Sequence, residues 1–215
     1  MVPDERRALI LRAAGDLFSQ RSYADVSVAD IAAVADVSLA DIAAVAGVSV
    51  ADIAAVAGVS PPLIVFHFGS KRSLYLAVLD AAAAAIGAGL DGLPGPPSLD
   101  RLRAGVRFYA GYARTHRAGF LSLLRGGQDV AEAAALVEAF RDELAAQIRA
   151  AVSPGPGRDD GPGPLTLLAV RGYLGYVDAV IVHWLALPED QRDQGSADMI
   201  AEVAAGAFAG GLAAM

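Results

Sequence analysis

Three histidines, three recurring aspartates and a scatter of tyrosines and phenylalanines are the residues of this chain with the most obvious chemical capacity. His67, His116 and His183 lie far apart, and none has a second histidine four residues away beside a glutamate, the spacing that holds zinc on a helix. A lone histidine on a helix is more often a core or surface residue than a ligand. Asp30, Asp41 and Asp52 recur because a whole segment recurs, not because carboxylates converge on a metal. No glycine-rich phosphate loop, nucleophile elbow or acidic metal cluster is read from the chain. It is therefore expected to be no enzyme, with no catalytic residues, no metal and no cofactor.

Composition narrows the class. The chain has 215 residues, 55% of them hydrophobic and 19% charged, so it can bury a core and is not a disordered polymer. Mean hydropathy is +0.45, much of it from alanine. The richest segment, Leu165 to Leu187, is interrupted by Arg171, Asp178 and His183, which argues against a membrane span. The N-terminus leads into an amphipathic helix with no apolar signal core, and cysteine is absent, so a cytoplasmic location is expected. The net charge of −7 is awkward for a nucleic-acid binder, because phosphate contact favours a basic surface.

The elements that would position any functional residue begin with an internal repeat. Residues 27–37 read SVADIAAVADV, 38–48 read SLADIAAVAGV and 49–59 read SVADIAAVAGV. Such near-identity points to an in-frame duplication of one helical segment. Ser27, Ser38 and Ser49 can cap a helix, with an aspartate three residues on as a weak capping box. Isoleucine and valine three residues apart make an apolar ridge, and Gly47 and Gly58 can end the helix in the left-handed conformation. The first two copies admit two shapes. One long helix would hold its isoleucines on one stripe, but 22 extra residues would part its ends by roughly 33 Å. An αα-hairpin excursion returns the chain to its start and is favoured by Gly47-Val48-Ser49, although Asp36 in place of glycine favours continuity at the first junction.

Upstream, Asp4 to Gln20 forms an amphipathic helix with Leu9, Ala13, Leu17 and Phe18 on one face. Downstream, Ser60-Pro61-Pro62 is a strong helix start, Phe68-Gly69 an end, and Ser70 the cap of a helix whose first turn holds Lys71. With the first two copies set aside, residues 4–80 resemble the DNA-binding domain of the TetR family of bacterial regulators. Ser49 to Ser60, His67-Phe68-Gly69-Ser70-Lys71 and Leu74 to Leu79 carry the match, so the third copy is the working helix 2 and the following segment the recognition helix. The resemblance implies an all-α fold: a helix-turn-helix domain over 1–80, containing the 22-residue helical insertion, and a ligand-binding and dimerisation domain over 81–215. It also implies a homodimeric repressor of a palindromic operator in double-stranded DNA, with half-sites about one DNA turn apart, responsive to a small hydrophobic effector.

The DNA-contacting residues implied are Ser49, Ser60, Pro61, Pro62, Leu63, Val65, His67 and Lys71. Val65 stands where the family often has an aromatic residue, commonly tyrosine. Between Ser60 and His67 no side chain is polar, so bidentate hydrogen bonding to base edges is not available there. What remains is apolar contact with thymine methyls, amides at helix starts and phosphate contact from Ser49, Ser60, His67 and Lys71, with Arg6 and Arg7 as possible additions. Residues 1–72 hold six basic and eight acidic side chains, a net −2; without Ser27 to Val48, which supply Asp30, Asp36 and Asp41, the balance is +1.

In the second half, Gly92-Leu-Pro-Gly-Pro-Pro97 marks a turn after a long helix from about Ser70, and helices are expected at about 98–116, 118–126, 130–152, 164–187 and 196–213. Leu167, Val170, Leu174, Val177, Ile181 and Trp184 alternate spacings of three and four, the pattern of a packing seam. By the resemblance, Leu174, Val177, Ile181 and Trp184 join Val203 and Ala207 of the last helix in dimerisation, although a seam within one subunit uses part of the same surface. Phe108, Tyr109, Tyr112, Phe120, Phe140, Tyr173 and Tyr176 are the aromatic candidates for an effector pocket. The alternative to a working regulator is a dimeric helical ligand-binding protein whose DNA-reading head is impaired or repurposed by the repeat.

Overall fold

The computed structural model describes residues 3–20, 23, 54, 66–125, 130–152 and 164–213. Almost all of the repeat, the recognition-helix residues 60–65 and the loop 153–163 lie outside the described residues; Ala54, in the third copy, is helical and buried. Every regular element among the described residues is helical, as the all-α expectation requires. Counted in chain order they are α1 (Pro3–Gln20), α2 (Lys71–Asp91), α3 (Leu99–Thr115), α4 (Arg117–Arg125), α5 (Ala131–Val152), α6 (Pro164–Leu185), a short 3-10 turn (Glu189–Gln191) and α7 (Gln194–Ala213). These ends fall within two residues of the boundaries expected from periodicity and turn chemistry.

Local chemistry explains the ends. Gly69 takes φ +74°, a left-handed value that glycine adopts without penalty, and so separates the helical residues 66–68 from α2. Ser70 then caps α2, its hydroxyl accepting from the Ser73 amide at 3.0 Å. Ser98 caps α3 in the same way, accepting from the Arg101 amide at 3.1 Å.

The described residues form two compact units. The first takes in those up to Ala83 together with Ala118–Val137. Its core draws on Ile10, Ala14 and Phe18 of α1, Leu74, Val78, Leu79 and Ala82 of α2, and Phe120 and Leu123 of α4. Leu9 and Leu17, expected on the buried face of α1, are half-buried at its edges. Helices approach closely where Gly15 lacks a side chain: a Cβ there would stand 3.7 Å from Val78 Cγ1 and 3.9 Å from the Gly119 nitrogen. The Ser122 hydroxyl donates to the Gly15 carbonyl at 3.2 Å across that contact.

The second unit comprises Ala84–Arg117 and the described residues from Glu138 onward. Here α7 packs along α3, and both touch α6. Ile86 and Leu90 of α2, Val106 and Ala110 of α3, Leu144 and Ile148 of α5, Val177 and Ile181 of α6 and Ala201 and Ala204 of α7 supply its core. Exposed ion pairs line the α3–α7 seam, Arg103 with Glu202 at 2.8 Å and Arg107 with Asp198. Trp184 is buried with its indole nitrogen donating to Ser196 Oγ at 2.9 Å, so its polar edge is satisfied within the subunit.

Candidate functional site

The second unit holds an apolar cavity of about 190 Å³. Leu90, Leu93, Leu102, Val106, Leu144 and Ile148 make most of its wall, with Tyr109, Tyr173, Leu174 and Val177 completing it. Polar side chains reach it in few places. Arg101 spans the turn after α2, donating to the carbonyls of Leu90 and Gly95 at 3.1 Å each and also to that of Leu93. It thereby neutralises the negative C-terminal end of α2 and fixes one edge of the cavity. Gln147 Nε2 donates to Asp91 Oδ1 at 3.0 Å beside it.

The two lining tyrosines differ. Tyr109 is buried and its hydroxyl donates to Asp178 Oδ1 at 2.9 Å, joining α3 to α6. Desolvation raises the Asp178 carboxyl to about 6, against the lowering effects of the Tyr109 hydrogen bond and of Arg141. The Tyr109 phenol is likewise held well above its ordinary range, by burial first and the Asp178 charge second. Tyr173 is also buried, its ring 4.5 Å from that of Phe208, yet its hydroxyl has no hydrogen-bond partner among the described residues. Burial, with a smaller contribution from Tyr176, keeps that phenol protonated far above neutral pH.

Of the seven aromatic residues expected at a pocket, the cavity lining includes Tyr109 and Tyr173. Phe140 is buried without lining it. Phe108 packs against Gly89, where a Cβ would fall 1.9 Å from its ring, and Tyr112 stacks near His116 with ring centroids 4.7 Å apart. Tyr176 is largely on the surface. Phe120 lies in the first unit, fully buried in its core. Residues that sequence reasoning missed are Arg101 and the aliphatic wall, because only the tertiary crossing of α2, α3, α5 and α6 brings them together.

The residues expected at a subunit contact divide by face. Leu174, Val177, Ile181 and Trp184 are buried within the subunit, so their surface is already covered by their own chain. Val203 and Ala207 are exposed. On the opposite face of α6, Leu165, Leu168, Gly172, Tyr176, Ala179 and His183 form an exposed stripe at helical spacing, and Met199 and Val203 stand exposed on α7. A Cβ at Gly172, Gly175, Gly206 or Gly210 would meet nothing within 4 Å, so packing inside the subunit does not require those glycines.

Of the residues expected to touch DNA, His67 and Lys71 are described; Ser49, Ser60, Pro61, Pro62, Leu63 and Val65 lie outside the described residues. His67 is partly exposed beside Phe66, which is 82% exposed and was not singled out from the sequence. Phe66 stands in a segment without polar side chains, and only its exposure sets it apart. Lys71 turns inward: its ammonium donates to the Tyr23 carbonyl at 3.1 Å and lies 4.1 Å from the Tyr23 ring centroid. Arg7 similarly lies over the Phe68 ring, 5.3 Å from its centroid, while Arg72 pairs with Glu132.

Among the described residues two helices, α2 and α6, are long and apolar enough to cross a membrane by length and composition. Both contribute side chains to the packed cores described above, as core helices of globular bundles do.

Comparison with known proteins draws these features together. Residues 99–206, half of the chain, match the model of the tetracyclin repressor-like C-terminal domain, and residues 44–78 match that of bacterial regulatory proteins of the tetR family. No curated protein matches significantly. Among solved structures, a tetR-family transcriptional regulator from Streptomyces coelicolor is 26% identical, over 95% of this chain and 80% of that one, with a TM-score of 0.64. A TetR-like transcriptional regulator from Rhodococcus sp. RHA1 is 22% identical, over 98% and 97% of the two chains, at 0.67. A gamma-butyrolactone receptor shares the fold at 20% identity, over 94% and 96%, at 0.54. The chain belongs to the TetR family of bacterial transcriptional regulators, a family of DNA-binding regulators and not of enzymes.

Proposed function

We propose that the protein is a cytoplasmic repressor that binds a palindromic operator as a homodimer and releases it when a small, largely hydrophobic effector enters the cavity of the second unit. The observation that carries this reading is the apolar cavity within the span matched by the TetR C-terminal model. The gamma-butyrolactone receptor among the structural neighbours supports a small-molecule effector. Subunits meet through the exposed stripes of α6 and α7, where Gly172, Gly175, Gly206 and Gly210 permit close backbone approach. Ser49, Ser60, Pro61, Pro62, Leu63, Val65 and His67 meet the DNA, joined by Phe66; Lys71 reaches phosphate only by leaving Tyr23. The third repeat copy serves as helix 2, and the first two are a duplication inserted between it and α1.

A second reading, an impaired or repurposed head, is favoured by one observation: the repeat turns the net charge of residues 1–72 from +1 to −2. Footprinting of the intact chain on DNA flanking its own gene tests the first reading. Protection of two symmetric half-sites about one helical turn apart is expected; no protected site at low salt would favour the second.

A further inference from the structure

Arg72 lies in the first turn of α2, directly after Lys71 and inside the span matched by the tetR-family model. That turn holds both cations and no acid. Positive charge at the positive end of a helix dipole is unfavourable to the helix and suits an approaching anion. Arg72 meets instead a carboxylate of its own chain, pairing with Glu132 in the first turn of α5. Residues 72 and 132 belong to the same compact unit, so the pair is part of one packed body.

The pair contributes little to the fold. Its two side chains are 52% and 55% exposed, and ion pairs so open to water add little to stability. The consequence for a phosphate is larger. Glu132 cancels the charge that Arg72 offers, and its own charge stands within a Debye length, about 8–10 Å, of any phosphate that Arg72 would meet. The Arg72 hydrogen bond holds the Glu132 carboxyl below its usual range, so the competitor is ionised at neutral pH.

Resting on the reading of the first unit as a DNA-binding head, we propose that Arg72 is a further phosphate-contacting residue and that Glu132 is an internal competitor for it. Phosphate and carboxylate suit the same guanidinium fork. The carboxylate in place therefore holds DNA affinity below what the head can reach.

A salt titration of the full chain on DNA flanking its own gene tests this. At about 50 mM salt Glu132→Gln is expected to bind at least about fivefold more tightly than the natural chain. Its salt slope should steepen by about 0.9 for each subunit whose Arg72 reaches a phosphate. In an Arg72→Gln background the same change should leave the slope as it was and give less than about half of that gain. Glu138→Gln removes the same charge further along α5, in the second unit, and should alter affinity less than about twofold. The melting temperature of Glu132→Gln should match that of the natural chain within about 2 °C.

An unchanged affinity and slope for Glu132→Gln would overturn the proposal while leaving the DNA-binding reading intact. So would an equal gain from Glu138→Gln, or a full gain without Arg72. A lower melting temperature with weaker binding would show that the pair is structural, and would overturn it too. If neither the natural chain nor any variant binds, the DNA-binding reading fails and the proposal with it.

Discussion

The two units of this chain use their polar groups in opposite ways. In the second unit the polar side chains of Tyr109 and Gln147 at the cavity are held by their own chain, and the buried Tyr173 hydroxyl has no hydrogen-bond partner among the described residues. In the first unit several described cations are turned toward their own chain: Lys71 to Tyr23, Arg7 to Phe68, Arg72 to Glu132 and Arg125 to the Ser19 carbonyl, while Arg12 is exposed on α1. A DNA-reading head gains most of its affinity from phosphates, and residues 1–72, with the repeat, carry a net charge of −2. A preformed apolar site coexists with a reading head whose electrostatics are weak.

The sharpest break between the units is at Phe120. Fully buried in the first unit, it is a core residue there and no part of the effector site. Phe120→Ala should lower stability by about 3–5 kcal/mol in urea unfolding while leaving ligand preference unchanged in whatever fraction stays folded. Next in size is the subunit contact. A charge on each exposed stripe, Leu168→Asp with Val203→Asp, should raise the dimer dissociation constant by at least about 100-fold, or about 2.7 kcal/mol, in sedimentation. The folded subunit should survive, because both side chains are exposed within it.

The buried pair of the second unit gives a pH signature. Asp178 is raised to about 6 in the folded chain, so its contribution to stability is complete below about pH 4 and is lost as pH rises through 6. Asp178→Asn removes that dependence. Relative to the variant, the natural protein should lose about 1–3 kcal/mol between pH 4 and 7, read by urea unfolding at several pH values. The smallest effect expected is at Lys71. Lys71→Met should lower stability by about 1 kcal/mol through the lost contacts with Tyr23. If Lys71 leaves Tyr23 for phosphate, the salt slope of DNA binding should also fall by about one unit per contact.

Much of this was legible in the sequence because local chemistry is strong there. Ser70 and Ser98 as caps, Gly69 as a left-handed stop and the proline-glycine turn before Ser98 put the ends of α2 and α3 nearly where they lie. The spacing on α6 revealed an apolar seam but could not say which neighbour covers it. Val177 and Ile181 face their own subunit, and the more polar-looking stripe through Gly172 and Ala179 is the open one. Aromatic residues were equally ambiguous. Helical spacing makes Phe120 and Tyr173 alike, and only the tertiary arrangement puts one in a core and the other on a cavity wall. Arg101 carried no signal, since its role depends on carbonyls released at the end of another helix.

The central claim is that this chain works as a DNA-binding regulator despite the acidic repeat. The most direct test is a salt titration of DNA binding by the intact chain and by a Ser27–Val48 deletion, on DNA flanking its own gene. Both should bind, the deletion at least about tenfold more tightly at low salt and with a steeper salt dependence, because three carboxylates per subunit are gone. Tight, salt-dependent binding by the deletion alone, with none by the intact chain, would contradict it.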